Sequence, residues 1–192
     1  VFDDDKFLKR ALENAAFLKN KMMTKNVLKR VFKTNKPTAT IDAFLDDYAF
    51  TIQSFIGLYT ATFDESWLKE AKKLQDIAFE HFYDTKSGMF FYTKKDDAQL
   101  IARKMEVIDN VIPSSNSVMA LNLYTMGHYY DKKDYIDKSK QMLNNMKNQM
   151  EKGGTFFGNW NLLTLLFLDE PYEVAIVGEN CLTLRKELDQ HF

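Results

Sequence analysis

Two adjacent aspartates, Asp46 and Asp47, begin a strongly apolar segment and are followed directly by Tyr48. Paired carboxyl groups can act as a general acid and a general base. Helix capping is the other interpretation, because an aspartate in the first turn satisfies free N–H groups and suits the helix dipole. One aspartate suffices for a cap, and Asp47 continues into a polar stripe with Thr51 and Ser54, so both interpretations stay open.

A second polar group follows Pro113, where Ser114, Ser115 and Asn116 stand in a row. Hydroxyl and amide groups after a proline are typical of a helix start, since they satisfy its free N–H groups. Asn122 lies seven residues after Ser115 on the same helical stripe, between two leucines, and a buried asparagine needs partners. The stripe is either a structural hydrogen-bond network or a polar track into a ligand cavity.

The segment before this helix carries Glu106 and Asp109, the best partners for Asp46 or Asp47 in a two-carboxylate site. Arg103, in the same segment, would neutralise these acids or hold an anionic ligand. The predicted catalytic residues are therefore Asp46, Asp47 and Asp109. The predicted ligand-binding residues are Tyr48, Arg103, Glu106, Ser114, Ser115, Asn116 and Asn122.

Other residue types that often carry chemistry give weak signals here. His81, His128 and His191 are far apart and lack metal-ligand spacing, so we expect no metal site. Cys181 is the only cysteine and has no CxxC partner. The glycine-rich segment 153–158 lacks the Lys-Ser/Thr of a phosphate loop and is interpreted as a turn. We expect no cofactor.

Composition favours a helical protein, since the 192 residues include only seven glycines and three prolines, with 45% apolar residues. The formal charge of −1 gives no global attraction for nucleic acid or an anionic membrane. A basic run over 19–36 is expected to be a solvated face. No segment reaches the ~20 apolar residues of a membrane span. The single cysteine suits a reducing compartment, so we predict a cytoplasmic protein.

Apolar spacing predicts alternating inner and outer helices that form hairpins. Inner helices are predicted to start at Leu45 and to cover 115–130 and 159–168, and charged outer helices to cover 64–82 and 132–150. A further helix is predicted over 3–22. Aromatic residues at positions 7, 67 and 135 recur in a shared Asp-aromatic pattern, 60 and 68 residues apart, which indicates stacked hairpins in an arc or ring.

Three segments break the helical pattern and are predicted to be strands. They are 27–34, 88–94 and 172–178, all rich in aromatic or β-branched residues. No element is assigned between 94 and 113.

Three sequence blocks, Leu45–Ala49, Pro113–Ser117 and Glu173–Gly178, resemble the motifs of the YyaL-like family, which includes the animal spermatogenesis-associated protein 20. The resemblance implies a helical toroid similar to six-hairpin glycosidases and N-acylglucosamine 2-epimerases, preceded by a thioredoxin-like domain. The expected fold class is therefore all-α, an incomplete (α/α) toroid with short β insertions. Residues 1–192 are expected to form a single fragment that lacks the thioredoxin-like domain and the first hairpins.

Two functions are consistent with this resemblance. The first is a non-catalytic binding or scaffold module, and the alternative is a carbohydrate-active enzyme domain that uses paired carboxylates in the toroid cavity. The expected partners are a small carbohydrate-like ligand, a second copy of the chain bound through the cut edge, and the thioredoxin-like domain. Neither nucleic acid nor a membrane is expected as a partner.

Overall fold

The computed structural model describes residues 5–24, 27–36, 38–95 and 102–188, with the side chain of Leu182 excepted. The α-helices are α1 (Asp5–Phe17), α2 (Leu45–Thr62), α3 (Glu65–Phe82), α4 (Ser115–Tyr129), α5 (Lys133–Gly153), α6 (Gly158–Leu166) and α7 (Cys181–Leu188). A π-helical turn, Leu18–Met22, extends α1, and a 3-10 turn, Gly154–Phe157, joins α5 to α6. The helix predicted over 3–22 is therefore present from Asp5 to Met22, and its residues 3 and 4 lie outside the described part of the chain. The helix predicted over 159–168 is present with slightly different ends.

The first hairpin pairs α2 with α3. Tyr48, Ile52 and Phe55 of α2 are fully buried, as the apolar spacing of this helix requires. The helix ends at Phe63, whose left-handed backbone (φ 55°) lets its N–H bond the carbonyl of Tyr59 at 2.7 Å. One residue later Asp64 caps α3 by accepting a hydrogen bond from the Ser66 N–H at 2.9 Å.

The second hairpin pairs α4 with α5. Ser114 caps α4 through the N–H of Ser117 at 3.3 Å, and α4 is buried on almost every side. Gly127 allows close approach of the outer helix, because a Cβ there would lie 2.5 Å from the Cγ1 of Ile136. The outer helix α5 buries one face, which includes Tyr135 and Met142.

The inner helices α2, α4 and α6 run parallel. The Asn122 amide donates to the Ala49 carbonyl at 2.9 Å, and towards the other end of the same helices the rings of Tyr59 and Tyr129 lie 5.1 Å apart. Likewise, α6 lies beside α4, since the carbonyl of its last residue, Leu166, accepts a hydrogen bond from the Tyr124 hydroxyl at 2.8 Å. The predicted arrangement of stacked hairpins with inner and outer helices is confirmed, and the N-terminal ends of the inner helices lie on one side.

Two small antiparallel sheets connect these helices. The first has the order β1 (Met23–Thr24), β2 (Val27–Val31) and β3 (Thr40–Asp42), with Lys29 opposite Asp42 and Val31 opposite Thr40. The second pairs β4 (Tyr83–Asp84) with β5 (Met89–Phe90). The strands predicted over 27–34 and 88–94 are therefore shorter than expected, because pairing ends with their short partners.

The prediction of a strand over 172–178 is wrong. This segment is irregular, with Tyr172 93% exposed and Val177 85% exposed. A strand needs a partner for its backbone N–H and carbonyl groups, and no described strand lies beside this segment. Its β-branched composition was therefore not sufficient to make it a strand.

Candidate functional site

The two adjacent aspartates lie at the start of α2 and share one arginine. The Arg30 Nη1 donates to Asp46 Oδ1 at 3.0 Å and to Asp47 Oδ2 at 2.9 Å. Burial acts to lower the pKa of Arg30, but the hydrogen bond and charge of Asp46 and the charge of Asp47 outweigh it, so this pKa is raised. Strand β2 places Arg30 there, since it packs beside the start of α2.

Asp47 also caps its own helix. Its Oδ2 accepts a hydrogen bond from the Phe44 N–H at 2.9 Å, so the capping interpretation of the sequence holds for this residue. Burial, with a further contribution from the charge of Asp46, raises the pKa of Asp47, although the Phe44 N–H and Arg30 act in the opposite direction. Asp47 therefore retains a proton at a pH where an ordinary aspartate has lost it.

Tyr92 joins the acidic pair to the segment before α4. Its hydroxyl donates to Asp46 Oδ2 at 3.1 Å, and its ring packs 5.1 Å from that of Phe44. Burial first, and then the charge and hydrogen bond of Asp46, raise the pKa of Tyr92 to about 12, with a smaller contribution from Glu106. Asp46, Asp47, Arg30 and Tyr92 therefore form one hydrogen-bonded group, which we call the acidic cluster.

Sequence reasoning did not identify Arg30 or Tyr92. Arg30 lies inside a basic run, and Tyr92 lies two residues beyond a short strand, so neither has a local pattern that distinguishes it. Arg30 and Tyr92 reach the aspartates only because β2 and the segment 91–95 lie beside the start of α2 in the folded chain. The Tyr92 backbone takes part as well, because its carbonyl accepts a hydrogen bond from the Leu45 N–H at 3.0 Å.

Asp109 accepts hydrogen bonds from the starts of two helices. Its Oδ1 accepts hydrogen bonds from the Ser114 N–H at 2.9 Å and the Ser117 hydroxyl at 2.7 Å, and its Oδ2 accepts one from the Asn159 N–H at 2.8 Å. The side chain is buried. Asp109 therefore fastens the start of α6 to the start of α4, as a structural carboxylate would.

Asn116 and Glu106 hold the segment before α4 against the rest of the fold. The buried Asn116 amide exchanges hydrogen bonds of 2.9 Å with both the N–H and the carbonyl of Phe90, and also donates to the Glu106 carbonyl at 2.9 Å. The Glu106 Oε2 accepts a 3.4 Å bond from the Ser115 N–H. The Ser115 hydroxyl is buried and has no hydrogen-bond partner in the structure.

Three other predicted ligand-binding residues have structural contacts. The buried Tyr48 hydroxyl accepts a hydrogen bond from the Leu28 N–H at 3.2 Å, and burial raises the pKa of Tyr48 to about 12. The Asn122 amide is bound to α2, as described above. The Arg103 guanidinium lies 4.1 Å from the Phe91 ring and donates to the Thr93 carbonyl.

The weak chemical signals of the sequence can be placed only in part. Within residues 5–24, 27–36, 38–95 and 102–188, no three His, Cys, Asp or Glu side chains are close enough to hold a metal ion. His81 and His128 lie in the last turns of α3 and α4, and His191 is outside the described residues. In the same part of the chain, every helix is too short or too polar to cross a membrane.

Comparison with known proteins gives the relatives of this chain. It is 31% identical to human spermatogenesis-associated protein 20 over 162 residues and 32% identical to the mouse protein over 160 residues. The chain is homologous to spermatogenesis-associated protein 20. The predicted relationship is thus confirmed. The chain spans about a fifth of the length of these relatives (20% in each). An uncharacterized protein of Caenorhabditis elegans is 29% identical over 145 residues. No model of a protein family matches the chain.

Among solved structures, this chain resembles the GH76 alpha-mannanase of Bacteroides thetaiotaomicron. The TM-score is 0.58 at 15% sequence identity, and the match covers 76% of this chain and 39% of the mannanase chain. At this identity the likeness concerns the fold alone. The predicted fold class, all-α with part of an (α/α) toroid and short β insertions, is confirmed.

Proposed function

We propose that this region is a non-catalytic helical scaffold that binds other protein surfaces. The observation that carries the proposal is the use of Asp109, whose two carboxylate oxygens accept hydrogen bonds from a backbone N–H and a hydroxyl at α4 and from a backbone N–H at α6. A buried carboxylate with these three donors stabilises two helix starts. It has little capacity left to exchange protons with a substrate.

The other predicted site residues support the same proposal. Asp47 caps α2, Asn116 binds the backbone of β5, and Asn122 links α2 to α4. Each of these side chains satisfies a backbone group that folding would otherwise leave unpaired, which costs about 1–3 kcal/mol per group when lost. Polar residues at these positions are therefore explained by the fold itself.

Apolar surface at both edges of the helical array favours protein partners. A groove of about 710 Å³ runs between α1 and α2, lined mainly by apolar residues such as Phe7 and Leu58. At the other edge, Leu165 and Leu168 at the end of α6 are 63% and 69% exposed. Contiguous exposed apolar surface usually marks association. Since the chain covers only part of its relatives, we propose further helical hairpins, a thioredoxin-like domain or a second copy as occupants.

A second candidate function is a carbohydrate-active enzyme domain, favoured by the acidic cluster. Asp47 has a raised pKa, and Asp46 beside it accepts a hydrogen bond from Tyr92. A carboxyl group with a raised pKa beside a second carboxyl group is the kind of pair from which acid and base roles are built. The fold of an alpha-mannanase supports a carbohydrate as the ligand of this candidate. We also infer a cytoplasmic location, supported by the single cysteine.

A thermal-shift screen separates the two candidates. The purified chain and its Asp46→Asn variant would be heated with α-mannan oligosaccharides and a set of monosaccharides. The scaffold proposal expects equal midpoints with and without sugar in both proteins. A sugar that raises the midpoint of the unsubstituted chain, but not that of Asp46→Asn, would contradict the scaffold and support the enzyme. The matched control is Asp42→Asn, because Asp42 is an acid on the neighbouring strand β3 and lies outside the acidic cluster.

A further inference from the structure

A pocket lies at the opposite ends of the inner helices from the acidic cluster. It encloses about 490 Å³ between the C-terminal ends of α2 and α4, and the irregular segment 171–174 forms one side. Its volume lies within the roughly 300–1,000 Å³ of small-molecule sites. We call it the aromatic pocket, because Tyr59, Phe63, Tyr129 and Tyr172 all contribute to its wall.

The rings of the aromatic pocket meet at steep angles. The ring of Tyr59 lies 5.1 Å from that of Tyr129 at 81°, and 5.9 Å from that of Phe63 at 64°. Rings that stand nearly perpendicular to each other enclose space with their faces on more than one side. The negative faces of such rings attract a cation within about 6 Å.

The electrostatics of the pocket also favour positive charge. The C-terminal ends of α2 and α4 bring the negative ends of two helix dipoles to this site. Glu173 adds a carboxyl group to the lining. His128 lines the pocket too, and its Nε2 is buried without a hydrogen-bond partner in the structure. An orphaned buried nitrogen commonly marks a place where a ligand or water supplies the missing bond.

A cation of the chain itself already uses part of this surface. The Arg185 guanidinium, from α7, lies 4.4 Å from the centre of the Phe63 ring. It also donates to the carbonyls of Thr60 and Ala61, at 3.2 and 2.9 Å, in the last turn of α2. The end of α2 therefore binds a guanidinium by an aromatic face and helix carbonyls together, and the aromatic pocket beside it offers further aromatic rings, those of Tyr59 and Tyr129.

We propose that the aromatic pocket binds a small organic cation that carries an ammonium or guanidinium group. The rings of Tyr59 and Tyr129 pack against the cationic head, and Glu173 neutralises its charge. Neither the scaffold role nor the enzyme candidate uses this pocket, because both concern the acidic cluster and the helical edges. The proposal therefore stands or falls independently of them.

Titration calorimetry on the purified chain tests the proposal with choline and methylguanidinium as probes. At least one probe is expected to bind saturably, while 3,3-dimethylbutan-1-ol, the uncharged isostere of choline, binds at least about tenfold more weakly. Glu173→Gln and Tyr129→Leu should each weaken binding by about three- to tenfold. Both side chains are exposed, so the fold should tolerate these changes.

Glu170→Gln is the matched control, since this exposed acid lies three residues from Glu173 and outside the pocket lining. It should leave the affinity unchanged. The proposal is overturned by equal affinity for choline and its uncharged isostere, by binding that survives Tyr129→Leu, or by no saturable binding of either cation. Circular dichroism of each variant confirms that lost binding is not lost folding.

Discussion

At the scale of single residues, the aspartates near the start of α2 differ in how the fold changes their affinity for a proton. Asp47 is mainly affected by burial, which raises its pKa above the ordinary 3.8. Asp42, on β3, accepts hydrogen bonds from Lys29 and Lys94, which lower its pKa below the same value. Their contributions to stability must therefore change with pH in opposite senses.

For Asp47, the folded state binds a proton more tightly than the unfolded chain does. Its contribution to the free energy of unfolding therefore falls as the pH rises from 3.8 through the folded pKa. The contribution of Asp42 to the free energy of unfolding is fully present above pH 3.8 and is lost as the pH falls through the pKa of the folded state. When the pH rises from 3.8 to about 6, we expect the free energy of unfolding to fall less in Asp47→Asn than in the unsubstituted chain. When the pH falls below 3.8, we expect it to fall less in Asp42→Asn than in the unsubstituted chain.

Urea unfolding followed by circular dichroism over this pH range measures both effects. The difference between each variant and the unsubstituted chain removes the contribution of all other titrating groups. If the two difference curves slope in the same direction, the assigned environments of Asp47 and Asp42 are wrong.

Residue chemistry was predictable from the sequence where it acts locally. The cap by Asp47 and the cap by Ser114 follow from residue type and position at a helix start. The roles of Arg30 and Tyr92 were not predictable, because they depend on contacts across 16 and 46 residues of chain. The hydrogen bonds of Asp109 to donors at α4 and α6 were not predictable either, and its role as a catalytic partner of the acidic pair stays a prediction.

At the scale of elements, two glycines in inner helices have opposite surroundings. A Cβ on Gly127 of α4 would meet the Ile136 side chain at 2.5 Å and its backbone nitrogen at 3.2 Å, whereas one on Gly57 of α2 would meet nothing within 4 Å. Gly127 is therefore required for the close contact between α4 and α5. Gly57 only lowers the helix propensity of α2.

We expect Gly127→Ala to destabilise the fold by about 1–3 kcal/mol, because overpacking forces α4 and α5 apart. Gly57→Ala should stabilise it by about 0.5–1 kcal/mol, since alanine restricts the unfolded chain and favours the helix. Urea unfolding midpoints and slopes give both values. Stabilisation by Gly127→Ala, or loss of stability in Gly57→Ala, would show that the packing around these helices differs from the structure.

The helices were predictable because apolar residues recur along them with a period of about 3.6, a signal that each helix carries on its own. Strands were harder, since a strand exists only where another strand pairs with it. Residues 172–178 have the composition of a strand but no partner among the described strands, and the chain there forms a side of the aromatic pocket instead. The short pairing of β4 with β5 likewise depends on a tight turn more than on its apolar residues.

At the scale of the whole molecule, the two edges of the helical array differ from its middle. In the middle, α4 is covered by α2, α5 and α6 and buries nearly all of its side chains. At the α1–α2 edge, by contrast, apolar residues line an open groove. The inner helix α2 thus lies beside another inner helix on one side and beside an open groove with α1 on the other.

A second copy is the occupant available to the isolated chain, so we expect it to dimerise through the α1–α2 groove. Ala11 and Ala16 both lie exposed on α1, but only Ala11 lines the groove. Ala11→Arg places a charge in the apolar groove, which is costly without a partner, and should give a monomer. Ala16→Arg adds the same charge outside the groove and should remain dimeric.

Light scattering after size-exclusion chromatography measures the mass directly, with twice the 22.5 kDa of the chain expected for the dimer. Comparing the two arginine variants separates a specific effect at the groove from a general effect of added charge. Monomers of the unsubstituted chain at all concentrations, or dimers that persist in Ala11→Arg, would exclude the groove as the contact. The exposed leucines at the end of α6 would then be the edge to test, because they also present apolar surface next to an inner helix.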